Sequence, residues 1–313
     1  MYLIRTLAPP AILTALVGCN AGVVEQADIQ PAFNAELHCG LLPISVIGQG
    51  EQMQLQVKGE QIELRQVISA SGAHYVAPGE EETSLWFKGE QAALVLQGIE
   101  YPQCAPVGAI IEPFRAAGNE PFWVLTLEAG SMVLNRLHEG ELPAQPYTAG
   151  EQAGQVVSQS EPQIHLQVTD QLCRDDMSGM PFPKQVTVQV GDAELQGCGG
   201  DSARLLQGAE WVVEDINAGG IIDRSWVTLN FWQDGRITGS ASCNNLMGQY
   251  QLTGEGLGIS QVVTTRMVCP PSLMEQEQRV LKNLQTLQSF DFDSTGALLL
   301  RATEGTLKAR LEN

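Results

Sequence analysis

The apolar runs of this 313-residue chain are short, and many alternate with polar residues. Gln52-Met53-Gln54-Leu55-Gln56-Val57, Gln163-Ile164-His165-Leu166-Gln167-Val168 and Gln185-Val186-Thr187-Val188-Gln189-Val190 have the two-residue period of half-buried strands. Turn residues such as Lys58-Gly59-Glu60 separate the runs, and glycine is plentiful. Many short strands joined by tight turns predict a mainly β chain and, in the first unit, a small antiparallel barrel. The length allows two or three such units, each with its own core. One stretch breaks the pattern: Leu273, Val280, Leu281, Leu284 and Leu287 recur at helical spacing. Ser272 before it and Glu275 three residues on predict a capping box, with Gln276, Glu277, Arg279 and Lys282 on the wet side.

Charge narrows the partners. The formal net charge of -19 excludes a general nucleic-acid or anionic-lipid surface and suits a strongly cationic partner. No G-x-S-x-G nucleophile elbow or phosphate-cradling loop occurs. No C-x-x-C occurs, and His38, His74, His138 and His165 are scattered, so no metal or cofactor is expected. Asn119, Glu120, Asp175 and Asp176 could form a metal or acid–base cluster. Adjacent aspartates in a loop more often bond their own backbone, and that reading is preferred. The seven cysteines are Cys19, Cys39, Cys104, Cys173, Cys198, Cys243 and Cys269.

The N-terminus predicts export. Arg5 precedes an apolar run from Leu7 to Val17, too short to span a bilayer comfortably. It ends in Leu16-Val17-Gly18-Cys19, which resembles a bacterial lipobox. The resemblance implies a signal over 1–18, acylation of Cys19 and, with Asn20 next, a lipid anchor on the periplasmic side of the outer membrane. Residues 19–32 would be a tether reaching on the order of 40 Å. Setting Cys19 aside leaves six cysteines, an even number suited to an oxidising compartment, with fifteen possible connectivities.

Residues 33–108 hold the most specific phrases. Ser71-Gly72-Ala73-His74-Tyr75 is a small-residue turn, and Trp86-Phe87-Lys88-Gly89 is an aromatic strand ending in one ammonium. Acidic residues Glu80, Glu81, Glu82 and Glu90 surround that lysine. Together with Lys88-Gly89-Glu90-Gln91-Ala92-Ala93-Leu94 and the flanking Cys39 and Cys104, these phrases resemble the MliC/PliC-type inhibitors of C-type lysozyme. The acidic loop from Ala77 to Thr83 is long for that family. The resemblance implies an antiparallel barrel that places Ser71, Gly72, Tyr75 and Lys88 against the lysozyme cleft, with Tyr75 and Trp86 packing to hold the loop. Residues 20–108 carry eleven acidic and three basic side chains, which suits a basic partner.

Two further units are expected. In residues 109–204, Gly118-Asn119-Glu120-Pro121-Phe122-Trp123 and Cys173-Arg174-Asp175-Asp176-Met177-Ser178 resemble an uncharacterised bacterial envelope family, implying a β-rich domain without assigned activity. In residues 205–313, Gly239-Ser240-Ala241-Ser242-Cys243-Asn244, Gly248-Gln249-Tyr250 and Thr265-Arg266-Met267-Val268-Cys269-Pro270 resemble the META/HslJ family. Ser242 stands where that family usually has glycine. The resemblance implies one helix packed on an antiparallel sheet. Read by domain, the cysteines pair as Cys39–Cys104, Cys173–Cys198 and Cys243–Cys269. The function expected is inhibition of C-type lysozyme by a non-enzymatic lipoprotein. The alternative is an envelope structural or stress-related binding protein whose middle and META-like domains carry the main role.

Overall fold

The computed structural model describes residues 33–79 and 82–312. The expected signal, the lipidation site Cys19 and the tether lie outside the described residues, as do Glu80 and Glu81. The alternating runs form two antiparallel barrels followed by an open sheet with one helix.

The first barrel contains β1 (Phe33–Cys39), β2 (Leu42–Gln49), β3 (Gln52–Val57), β4 (Glu60–Val67), β5 (Ala73–Val76), β6 (Ser84–Lys88) and β7 (Gln91–Leu96). Each pairs antiparallel with the next. The short strand Cys104–Ala105 closes the barrel by pairing with both β7 and β1. Cys39 and Cys104 face each other there and are bridged. The two-residue period has its expected consequence: Met53, Leu55 and Val57 are buried, while Gln52, Gln54 and Gln56 are exposed. The inward set includes Leu37, Val46, Leu55, Leu64, Leu85 and Leu94.

The middle unit is a nine-stranded antiparallel sheet running from Phe114–Asn119 to Ala193–Gly199; eight of its strands close a ring, and the short strand Gly140–Glu141 pairs outside it with Ser131–Arg136. The last strand returns to the first through Ala116↔Gly199 and Ala117↔Cys198. Trp123, Leu125, Leu134, Ile164, Leu166 and Val188 fill it. Cys173–Cys198 ties a two-stranded hairpin to the final strand.

The third unit is an eight-stranded antiparallel sheet carrying α1 (Pro271–Gln285). Val280 and Leu284 of α1 join Trp211, Phe231, Phe290 and Leu300 in one core. Cys243–Cys269 links the sheet to the segment before α1. The three bridges thus have the pairing read from the domains.

Two details of the helix differ from the sequence reading. Its N-cap is Pro270, with no side-chain cap bond and proline at the first turn, so Ser272 lies inside the helix and there is no capping box. Gln276 is fully buried rather than on the wet face. Its amide donates to Ser225 Oγ (2.8 Å) and Ser242 Oγ (3.0 Å) and accepts from the Ile222 amide (2.8 Å). These three bonds offset the desolvation of the carboxamide. Leu287 falls beyond the helix, at the start of a strand.

Ser242 has φ of +103°, a backbone conformation that favours glycine. The bond from Gln276 gives the serine a compensating contact. The neighbouring Asn244 joins the sheet to the helix. Its backbone amide donates to Glu277 Oε2 at 2.9 Å, and its side-chain oxygen accepts from Thr265 Oγ1 and the Met267 amide, both at 2.7 Å.

The units also bond to one another. The Leu41 amide donates to the Gln207 carbonyl at 2.9 Å, between the first barrel and the segment leading into the third unit. Arg174 of the middle unit donates to Asp291 Oδ1 (2.9 Å) and the Phe292 carbonyl (2.8 Å) of the third.

Candidate functional site

Strand register brings the two phrases of the first barrel together. Ala73 pairs with Phe87 and His74 with Trp86, so Gly72 and Ser71 continue alongside the Lys88 end of β6. Lys88 pairs with Gln91 across the tight turn into β7, which puts the ammonium at a rigid hairpin end. Ser71, Gly72 and Lys88 are all exposed.

A small bond network sets this corner. Ser69 Oγ donates to the carbonyls of Ser71 (3.2 Å) and Gly72 (3.0 Å), folding the turn on itself. Trp86 Nε1 donates to the same Ser71 carbonyl at 2.8 Å. The Lys88 ammonium sits 4.3 Å from the centroid of the Trp86 ring, in cation–π contact. One indole therefore holds the turn with its edge and the ammonium with its face. Gly72 has φ of +68°, and a Cβ there would overlap the Phe87 carbonyl oxygen. The glycine is needed both for its backbone conformation and for this close approach.

Lys88 makes no ion pair among the described residues, although Glu82 and Glu90 are close in sequence. An exposed ammonium held over an aromatic face can still meet an external carboxylate. The Ser71 carbonyl is engaged, whereas its hydroxyl makes no hydrogen bond among the described residues.

Tyr75, which the resemblance puts among the contacting residues, lies inside the barrel at 9% exposure. It pairs with buried Leu85 and meets Phe87 edge-on at 6.5 Å between centroids. The alternation of β5 turns it inward, so its part is to brace the corner from the core. His74 faces the other way, with its ring 5.4 Å from Trp86. The sequence reading did not connect His74 with the corner; cross-strand register is what places it there.

The acidic cluster of the middle barrel is committed internally. Asp175 Oδ1 accepts from the Ser178 amide (2.7 Å), the Ser178 hydroxyl (2.8 Å) and the Met177 amide (3.1 Å), while Oδ2 accepts from Asn119 at 2.8 Å. Burial pushes the Asp175 carboxyl up, but the bonds from Ser178, Asn119 and Met177 outweigh it and hold the group below its ordinary range. Such a carboxylate shapes a loop. Among the described residues no group of three His, Cys, Asp or Glu side chains could hold a metal ion.

Comparison with known proteins addresses both ends of the chain. No curated protein matches. Among solved structures, an NMR structure of a protein is 26% identical, with a TM-score of 0.31, covering 36% of this chain and 96% of its own. An NMR structure of a protein from Burkholderia xenovorans is 20% identical, also with a TM-score of 0.31, covering 40% of this chain and 98% of its own. Residues 42–101, which contain the Ser71–Lys88 corner, match the model for the membrane-bound lysozyme-inhibitor of c-type lysozyme. Residues 204–313, the sheet and its helix, match the META domain. The chain therefore carries an MliC domain and a META domain, neither from an enzymatic family, in one polypeptide with a second barrel between them.

Proposed function

We propose that the first barrel inhibits a C-type lysozyme by inserting the Ser71–Lys88 corner into its active-site cleft. The observation that carries this reading is the exposed Lys88 ammonium, without an ion pair among the described residues and held beside the Ser71 turn by Trp86 within the segment matching the inhibitor family. Lysozyme cleaves glycan with one protonated carboxylic acid and one ionised carboxylate. Lys88 would donate to the ionised group and the Ser71 hydroxyl to the other. Charge-assisted bonds strengthen as the cleft loses water, and the rigid hairpin limits the ordering cost. Gly72 lets the main chain approach the cleft wall closely.

The same reading puts the protein on a lipid at Cys19, on the periplasmic side of the outer membrane; the lipobox-like Leu16-Val17-Gly18-Cys19 supports this. Lysozyme entering the periplasm would meet the inhibitor at the membrane. The test is titration of a C-type lysozyme acting on peptidoglycan with the intact chain. The expected result is stoichiometric loss of activity; full lysozyme activity at a large excess of the protein would remove the proposal.

The META match supports a second reading, in which the third unit binds an envelope partner under stress. Retrieval of an outer-membrane partner, without any lysozyme inhibition, would favour it.

A further inference from the structure

A cleft of about 550 Å³ opens where the three units meet. Pro102 and Gln103 contribute from the end of the first barrel, Ile111, Pro113 and Phe114 from the start of the middle barrel, and Tyr250 and Leu252 from the META sheet. It shares no residue with the Ser71–Lys88 corner. Its size is that of a small-molecule site, and domain junctions are a usual place for one.

Arg204 is the group that gives the cleft its chemistry. It sits in the short turn Ser202–Leu205 between the middle barrel and the META sheet, half-buried in the cleft wall. Its guanidinium spends one bond, Nη2 to the His38 carbonyl at 3.3 Å. It has no ion-pair partner among the described residues. Asp201, the nearest acid in sequence, uses Oδ1 to cap the turn at the Ala203 amide (2.9 Å). Burial pushes the Arg204 pKa down, and Asp201 offsets this only in part. A half-buried guanidinium with free donors is suited to a planar carboxylate.

The neighbouring charges limit the ligand further. Lys184 also lines the cleft but is already paired with Asp170. Glu112 lines it too, with its oxygens taken by the Tyr147 hydroxyl and the Gly130 amide. With Glu112 and Asp201 both present, a polyanion such as a nucleotide would meet repulsion. A single negative charge satisfies Arg204 without that cost. The remaining walls are mostly apolar, with Gln103, Gln233 and Gln251 as polar points; the Tyr250 hydroxyl is already engaged, accepting from Gln207 at 2.6 Å and donating to the Trp232 carbonyl at 2.8 Å.

We infer that this cleft binds a small monoanion with an apolar body, its carboxylate on Arg204 and its body along Pro102, Ile111, Phe114 and Leu252. Because the ligand touches all three units, binding would also fix their relative placement.

The test uses 8-anilinonaphthalene-1-sulfonate, a fluorescent monoanion of suitable size, with the intact chain, and 3-phenylpropionate as a carboxylate competitor. The uncharged N-phenyl-1-naphthylamine serves as the control for apolar attraction alone. The expected result is saturable one-to-one sulfonate binding that phenylpropionate displaces. Arg204→Gln should weaken it at least tenfold while changing uncharged-probe binding less than twofold. Because Arg204 also holds the His38 carbonyl, Leu252→Asp provides a second variant. It adds a repelling charge to the wall and should likewise weaken sulfonate binding at least tenfold. Circular dichroism and lysozyme inhibition should be unchanged in both. Equal sulfonate binding by parent and both variants would overturn the inference. So would loss of binding on Met247→Ser, because Met247 lies on an exposed face of the META sheet, outside the cleft.

Discussion

The two barrels share an architecture but use their polar groups in opposite ways. Each is an antiparallel ring closed by its first and last strands, with one disulfide. Both are acidic, residues 33–108 with a net charge of -6 and residues 109–204 with -8. In the middle barrel the most conspicuous polar side chain, Asp175, receives four hydrogen bonds from its own surroundings. In the first, Lys88 is supported by an aromatic face and makes no hydrogen bond or ion pair among the described residues. A group satisfied inside the protein stabilises a loop; one that is held but unsatisfied is available to a partner. Barrel closure and the sign of the net charge do not distinguish the two units, whereas the state of these individual groups does.

The largest expected effect comes from removing the free group. Lys88→Ala should weaken lysozyme inhibition tenfold or more, each decade corresponding to about 1.4 kcal/mol, with little change in thermal stability. Inhibition constants measured beside melting curves check both halves of this statement. A variant that inhibits as well as the parent would take Lys88 out of the mechanism and leave the two barrels functionally alike. Gly72→Ala tests the frame around the lysine. Left-handed backbone and overlap with the Phe87 carbonyl should together cost about 2 kcal/mol of stability. Inhibition should fall with it, because the turn and Lys88 share the Trp86 support. Denaturant unfolding of the purified variant reads the first effect directly.

The middle barrel should respond in the reverse sense. Asp175→Ala leaves the Ser178 and Met177 amides without their acceptor and should cost about 1–2 kcal/mol of stability, with inhibition unchanged. The acid response follows from the same bonds. The Asp175 pKa is lowered by folding, so the carboxylate contributes stability fully above the unfolded value, near pH 4. That contribution is lost as pH falls through the folded pKa. Asp175→Asn should therefore show less loss of stability below about pH 4 than the parent, in unfolding measured from pH 6 to pH 3. Equal acid sensitivity would mean that the loop bonds do not form in solution.

Much of this contrast was legible in the sequence, and the remainder was not for identifiable reasons. Gln52–Val57 shows its strand and its buried face by alternation alone. The pairing of Cys39 with Cys104 followed from treating the segment as one domain. The helix was visible in its leucine spacing, but its start was not. Ser272 and Glu275 have the letters of a capping box, yet Pro270-Pro271 sets the first turn earlier. Gln276 reads as a surface residue because its partners, Ser225 and Ser242, are 51 and 34 positions away. The Ser71–Lys88 corner depends on the register Ala73↔Phe87, which no local pattern encodes. Family resemblance supplied the residues there; the strand pairing supplied their support and turned Tyr75 toward the core.

The smallest expected effect concerns how the partner arrives. C-type lysozyme is cationic, as Lys88 is, so on the proposed reading the docking group itself would oppose encounter and attraction would come from the surrounding acids. Both barrels are net acidic and contribute to that field, so steering alone does not select which one docks. Raising salt from about 0.01 M to about 0.1 M shortens the screening length from about 30 Å to about 10 Å. The association rate should fall severalfold over that range, by the same factor in the parent and in Lys88→Ala. On the proposed reading the lysine should act mainly on dissociation, since its donors would engage only once docked in the cleft. Stopped-flow association and dissociation rates for both proteins at the two salt concentrations separate these contributions. A salt-independent association rate would remove steering. A Lys88→Ala defect confined to association would show that the ammonium acts before docking, and the contrast between held-and-free and held-and-satisfied groups would lose its energetic basis.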